Sequence, residues 1–251
     1  MKSDPGREFY GIDAPTIVRN LGAGGIALVG VALVARNYAW GAAWADNLVL
    51  PGGCMAAMAA WMLASSLWLK QRVMRSLLAQ RDWRGDERVL DIGCGRGLVS
   101  VEAARRVSTG RVVGIDLWQA SDLSGNGVAA ILGNARAAGV EARLQIDTGD
   151  ARALPYPDAS FDVVTSMTVI HNIPDAAGRR AAIAEAWRVL APGGQMLVFD
   201  IRHASTYLAQ LRALGAKDAR LSAPILLWGL PGRRFSLRKS IREAPRVHAG
   251  T

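Results

Sequence analysis

The residues best suited to chemistry in this 251-residue chain lie in one short run, Val89-Leu90-Asp91-Ile92-Gly93-Cys94-Gly95-Arg96-Gly97. An apolar, β-branched stretch leads into glycines spaced G-x-G-x-G and then into a helical pattern. Glycines at such a turn remove Cβ atoms and let the backbone approach a ligand closely. Asp116 closes the next apolar run, 19 residues after Gly97, where a carboxylate can accept both hydroxyls of a ribose. A dinucleotide site has the same plan, so this pattern alone leaves the ligand open. His171, in Val169-Ile170-His171-Asn172-Ile173-Pro174, offers a different chemistry. An imidazole exchanges protons near neutral pH, which suits a base acting on a substrate hydroxyl. The competing role is a histidine that orders its loop through the backbone. Cys94 fits as a small packing residue in the glycine loop. The only other cysteine, Cys54, lies in different surroundings, so neither a disulfide framework nor a C-x-x-C metal or redox site is expected.

The elements that must position these residues alternate. Strands are expected at 88–92, 111–116, 143–147, 161–167 and 195–201, with helices near 97–107, 126–138, 177–190 and 204–214. A final hairpin, 218–229 and 233–240, would turn at Leu230-Pro231-Gly232. This order predicts an α/β fold: a Rossmann-like, doubly wound, mostly parallel seven-stranded sheet with an antiparallel C-terminal hairpin. Open sheets of this kind bind ligands beyond the carboxyl ends of their strands, where the glycine run and Asp116 fall. Asn126 fits either a helix N-cap or a ligand contact. Trp118 fits either a lid or an apolar surface residue, and Tyr156 a packing residue on the ligand-side loop.

Residues from about 87 to 200 resemble the class I S-adenosylmethionine-dependent methyltransferases. The resemblance rests on DIGCGRG (91–97), GID (114–116), GDARALPYPDASFDVVTS (149–166) and RVLAPGGQMLVFD (188–200), four motifs in the family's order. The small-molecule branch that includes quinone-biosynthesis methyltransferases is the most similar. The resemblance implies that S-adenosyl-L-methionine is the cofactor, with Asp91, Gly93, Gly95 and Gly97 around its methionyl end. It further implies Asp116 on the ribose, Leu117 on the adenine face, Asp150 accepting from the adenine amino group and Ala151 offering its backbone N–H. His171 would border the site opposite the sulfonium. A nicotinamide-dependent membrane reductase and a non-catalytic S-adenosylmethionine-binding regulator are the alternatives. G-x-G-x-G in place of G-x-G-x-x-G disfavours the reductase.

Ahead of this unit the chain is apolar. Residues 21–35 carry no charge between Arg19 and Arg36, and residues 47–69 carry none for 23 positions. Two transmembrane helices are expected, about 21–36 and 47–69, with Tyr38, Trp40 and Trp44 as interfacial aromatics. Buried helices of a soluble domain are the competing reading. A signal peptide fails because a second apolar run follows. Residues 1–69 then form the anchor, 70–86 a basic juxtamembrane linker helix and 87–251 the methyltransferase domain. Lys70, Arg72, Arg75, Arg81, Arg84 and Arg88 follow the second run, which places the large domain in the cytoplasm. Thirty Lys and Arg against 21 Asp and Glu give a net +9, read as a collar on anionic lipid and not as a nucleic-acid surface. Small residues (Gly22, Gly24, Gly25 and Gly30; Gly53, Ala57, Ala60 and Ala64) would let the two helices pack closely or serve a homodimer. The expected partners are the lipid membrane and a small, lipophilic acceptor.

Overall fold

The computed structural model describes residues 8–38, 42–119 and 123–240, so Trp40 and the basic tail after Ser240 lie outside the described residues. Helix α1 (Pro15–Ala35) starts with proline at a helical position that has no hydrogen bond to lose. It is longer than its charge-free core, and its 21 residues span about 32 Å. Helix α2 (Ala42–Ala64) packs against it through small residues. A Cβ on Gly25 would stand 2.6 Å from the Gly52 carbonyl, and one on Gly52 would stand 2.9 Å from the Gly25 carbonyl. The seam on α2 is therefore Gly52, Ala56 and Ala59. It lies one position away from the expected Gly53, Ala57 and Ala60, which face outward. Ile26, Val31, Leu33, Val34 and Leu50 also point away from the seam and are exposed. Both helices are long and apolar enough to cross a membrane.

The second helix does not stop at the end of its apolar run. A π-helical turn, Ser65–Leu69, joins α2 to α3 (Lys70–Leu78), so the helix continues unbroken to Leu78. The expected linker helix over 70–86 is thus shorter and is no linker. Val73, Met74, Leu77 and Leu78 pack with Val89, Val99, Leu197 and Phe199 in the core of the α/β unit. Two collar residues are also reassigned. Lys70 is buried, and Arg81 forms a buried ion pair with Glu87. Arg72, Arg75 and Arg84 stay exposed.

The sheet contains β1 (Arg88–Ile92), β2 (Arg111–Asp116), β3 (Leu144–Thr148), β4 (Phe161–Met167), β5 (Leu190–Asp200), β6 (Ala216–Leu221), β7 (Ile225–Leu227) and β8 (Leu230–Lys239). Its order is β3-β2-β1-β4-β5-β8-β6, and β7 pairs only with the start of β8. The first five strands are parallel, while β8 runs antiparallel to β5 and β6. Helices α4 (Leu98–Arg106) and α5 (Val128–Ala137) join α3 on one face, and α6 (Ala176–Val189) and α7 (Ala204–Ala213) cover the other. This is the expected doubly wound α/β fold, with an eighth short strand. The C-terminal turn differs: Leu230-Pro231-Gly232 lies in β8, and the reversal falls at Trp228-Gly229, with φ of 53° and 85°. The chain changes winding direction between β1 and β4, and the candidate site opens there.

Candidate active site

Strand β1 is buried from Val89 to Ile92 and ends in the glycine turn, where Gly93 and Gly95 have no Cβ. Gly93 has φ of +73°, and a Cβ there would stand 2.2 Å from Val169 Cγ2 in the turn after β4. The two loops therefore touch only because position 93 is glycine. The Gly95 amide donates to Asp116 Oδ2 at 2.8 Å, and the Trp118 amide donates to Oδ1 at 2.7 Å. Each carboxylate oxygen keeps a further lone pair for a ligand hydroxyl.

Asp91 is buried below this turn. Its oxygens accept from Ser100 Oγ at 2.5 Å and Thr165 Oγ1 at 2.9 Å. Burial pushes its carboxyl up to about 7 in spite of these two hydroxyls. Cys94 packs beside Gly114, and burial raises its thiol well above the ordinary range, which fits a packing role and not a nucleophile. Asp150 sits across the cavity, gripped by Arg152 through Nε at 2.9 Å and Nη2 at 2.6 Å, which lowers its carboxyl. Leu117 is half exposed, as an apolar platform would be, and Ala151 packs on the core.

His171 lies on a single 3-10 turn after β4. Its amide donates to Asp200 Oδ2 at 3.1 Å. Its Nδ1 stands 2.5 Å from Asp200 Oδ1, off the line of a hydrogen bond. Asp200 itself is almost fully buried, and it also accepts from the Ile201 amide. The histidine is ordered through its backbone and also lines the cavity. Nε2 is left as the nitrogen available to an acceptor.

These residues line a cavity of about 530 Å³, within the range of small-molecule sites. It gathers Asp91, Gly93, Gly95, Asp116, Leu117, Asp150, Ala151 and His171. Gly97 is not among its walls. It sits at the N-cap of α4 with φ of +85°, pressed on Ile131, and shapes the turn instead. Asn126 is not a helix cap, since α5 begins after Gly127. Its Oδ1 is buried, unpartnered and in the cavity wall, as is Trp228 Nε1. Trp118 turns away and donates from Nε1 to Thr148 Oγ1. Tyr156 packs edge-on against Phe161 and donates to Asp147.

Residues 8–14 form a strap that the sequence reading missed. Lys70 Nζ donates to the Tyr10 carbonyl, the Gly11 carbonyl and Asp13 Oδ2, each at 3.0 Å. Phe9 exchanges hydrogen bonds with the Asn134 side chain, and its carbonyl accepts from Arg96. The strap thus closes one side of the glycine turn and runs directly into α1. A lone lysine ending a long apolar run was the available signal.

The fit to a cofactor can be judged from these walls. Asp13, Asp91, Asp116 and Asp150 line the cavity, while Lys70, Arg96 and Arg152 there are already engaged by carbonyls or carboxylates. Asp116, which accepts from the Gly95 and Trp118 backbone amides, beside a glycine cradle and an Asn126 Oδ1 without a partner among the described residues, suits a nucleoside ligand. It suits a pyrophosphate less well.

Comparison with known proteins agrees. Residues 89–194 match a family model described as a methyltransferase domain. Over 120 residues the chain is 39% identical to a 27-O-demethylrifamycin SV methyltransferase of Amycolatopsis mediterranei, covering 47% of this chain and 39% of that protein. It is 34% identical over 143 residues to a demethylmenaquinone methyltransferase of Deinococcus radiodurans, covering 53% and 54%. The chain thus spans about half the length, or less, of these curated relatives. Among solved structures, the [4+2]-cyclase SpnF superposes with a TM-score of 0.57 at 22% identity, over 71% of this chain and 83% of that one, a likeness of fold.

Proposed function

We propose that the protein, whose residues 89–194 match a methyltransferase domain, is a class I S-adenosylmethionine-dependent methyltransferase that methylates a small, lipophilic acceptor at the cytoplasmic face of a membrane. The observation that carries this reading is the make-up of the cavity wall. Its one side is the glycine turn, Asp116 and Asp150, and its other side includes Ile17 of α1 and Met62 of α2, the two apolar helices. An acceptor there would meet side chains from the anchor itself. The outward apolar faces of both helices support spanning over burial in a soluble core. Arg72, Arg75 and Arg84, exposed just past the second span, support a cytoplasmic α/β unit.

S-adenosylmethionine, when bound, supplies an electrophilic methyl group. Asp116, the Gly93–Gly95 backbone, Leu117, Asn126 and Asp150 would hold it. What remains for the chain is alignment of the acceptor and, for a hydroxyl, removal of a proton. Asp200 Oδ1, 2.5 Å from Nδ1, would stabilise the imidazolium formed when Nε2 takes that proton.

Calorimetry on membranes carrying the full chain tests the cofactor. S-adenosylhomocysteine should bind and NADH should not, and tight NADH binding alone would sink the reading. Mass spectrometry of membrane lipids, with and without the protein, identifies the product. For the base, His171→Gln should cut turnover by roughly 10²–10⁴-fold at nearly unchanged cofactor affinity, with partial recovery at high pH where a phenolic acceptor ionises unaided. If cofactor affinity falls along with the rate, the histidine only orders its loop.

A further inference from the structure

The eleven residues from Ser222 to Gly232, SAPILLWGLPG, carry no charge and lie between Arg220 and the pair Arg233-Arg234. They fold into the β7–β8 hairpin, with Leu226 opposite Pro231 and Leu227 opposite Leu230. The hairpin projects beyond the carboxyl end of β5, where Asp200 pairs with Arg233. Leu227 is buried in the core, but Leu226 is 53% exposed and Leu230 37% exposed. An exposed apolar tip flanked by arginines is the pattern of a segment that enters a lipid interface.

Its position decides the depth. A Cβ on Gly229 would stand 3.6 Å from Met58 Sδ, so the turn rests on α2 at Met58. Ala59, the next residue, faces Gly22 across the helix seam. Gly22 lies three residues deeper along α1 than Arg19, which is about 4.5 Å farther into the span. If α1 and α2 are in lipid, the tip of this hairpin is in lipid too. Trp61, exposed three residues farther along α2, marks an interface near that level. The cavity runs to the same place, since Ile17, Met62, Trp228 and Leu230 all line it.

We propose that the β7–β8 hairpin is a third membrane contact and that, with Ile17 and Met62, it frames a lateral mouth through which an uncharged, lipid-dissolved acceptor passes directly from the bilayer into the site. This rests on the membrane reading above. It departs from a simple tether, in which the substrate would arrive through water. Trp228 then stands at the inner end of the mouth, where an apolar entrance meets the polar site.

The test uses the full chain with Cys54→Ala, leaving only the buried Cys94, in vesicles of phosphatidylethanolamine and phosphatidylglycerol. Single cysteines replacing Leu226, Leu230, Leu33 and Leu214 carry a polarity-sensitive fluorophore, and circular dichroism checks each fold. Leu33 reports on the span. Leu214, next to β6 at the far end of the sheet, reports on water. The labels at 226 and 230 should be quenched several-fold more by shallow nitroxide lipids than by iodide, and the label at 214 the reverse. Lipid quenching at 33 with only iodide quenching at 226 or 230 would overturn the mouth and leave the anchor standing. Iodide quenching at 33 would overturn the anchor and the mouth with it. Shielding of 226 and 230 from both quenchers would mean that a second copy or another protein covers the hairpin, which also overturns the proposal.

Discussion

Between α1 and α2 the contact is made by residues that lack side chains. Gly25 and Gly52 bring backbone against backbone, while Ile26, Leu33 and Leu50 face away. In the α/β unit the large side chains turn inward instead. Phe199, Phe235, Leu90 and Ile183 are fully buried between sheet and helices. The same residue types thus face opposite ways in two regions of one chain. In water an outward aliphatic surface costs about 25 cal/mol per Å², and in lipid that cost vanishes, so packing there must come from close approach alone. The lesson is that each region packs to suit a different solvent, while the strap, the continuous helix and the contact of Gly229 with Met58 couple them.

That contrast can be broken most directly in the cores. Phe199→Ala should cost about 3–5 kcal/mol of unfolding free energy, from lost burial and the cavity left behind. Leu33→Ala, on the outward face of α1, should leave the unfolding of the α/β unit unchanged. Chemical denaturation in detergent, followed by the tryptophans of the α/β unit, measures both. A comparable loss from Leu33→Ala would show that α1 packs against something in water.

The junction comes next. Lys70→Met leaves Asp13 and two strap carbonyls without their donor, a loss on the order of 3 kcal/mol for a buried charge contact. Hydrogen exchange at residues 8–14 should accelerate accordingly, while carbonate extraction should still leave the chain in the membrane. Unchanged exchange would show that the strap is held by its other partners, among them Asn134, Arg96, Ser124 and Ser66. Asp116→Ala should weaken binding of S-adenosylhomocysteine by about 1.5–3 kcal/mol, through loss of a charged acceptor. Calorimetry reads this, and an affinity within a factor of two of the parent would remove Asp116 from the ribose role.

The last effect is one of pH. Burial raises the Asp91 carboxyl to about 7 in the folded chain, above the unfolded value of ~3.9. The folded state then binds more protons than the unfolded one between those two values. Stability from this group is greatest at the acid end and declines as pH rises toward 7. Asp91→Asn should flatten that part of the Tm-versus-pH curve, measured without cofactor. A slope that survives the substitution belongs to another group.

The parts legible in the sequence were those set by neighbours in the chain. β1, the glycine turn and Asp116 follow from an apolar run, three glycines and an acid at fixed spacing, and all but Gly97 of the expected site residues meet in the cavity. What escaped was set by distant partners. Lys70 and Arg81 look like members of a surface collar until strap carbonyls and Glu87 are placed around them. Asn126 resembles a cap until α5 begins two residues later. Leu230-Pro231-Gly232 has turn chemistry, yet the turn forms at Trp228-Gly229. Leu227 is drawn into the core and Gly229 onto Met58, and those tertiary contacts outweigh the local preference.

The π turn at Ser65–Leu69 acts as an angular setting. It inserts one residue into a rod that runs from the apolar helix α2 into the core. At 3.6 residues per turn, removing one residue from the regular helix α2 would rotate everything beyond it by about 100°. Lys70 would swing off the strap, and the α/β unit would present a different flank to α1. The heading of the α/β unit is thus counted out in residues along a single helix. A one-residue deletion within 65–69, by contrast, would draw the wide turn back to α-helix and largely keep that bearing.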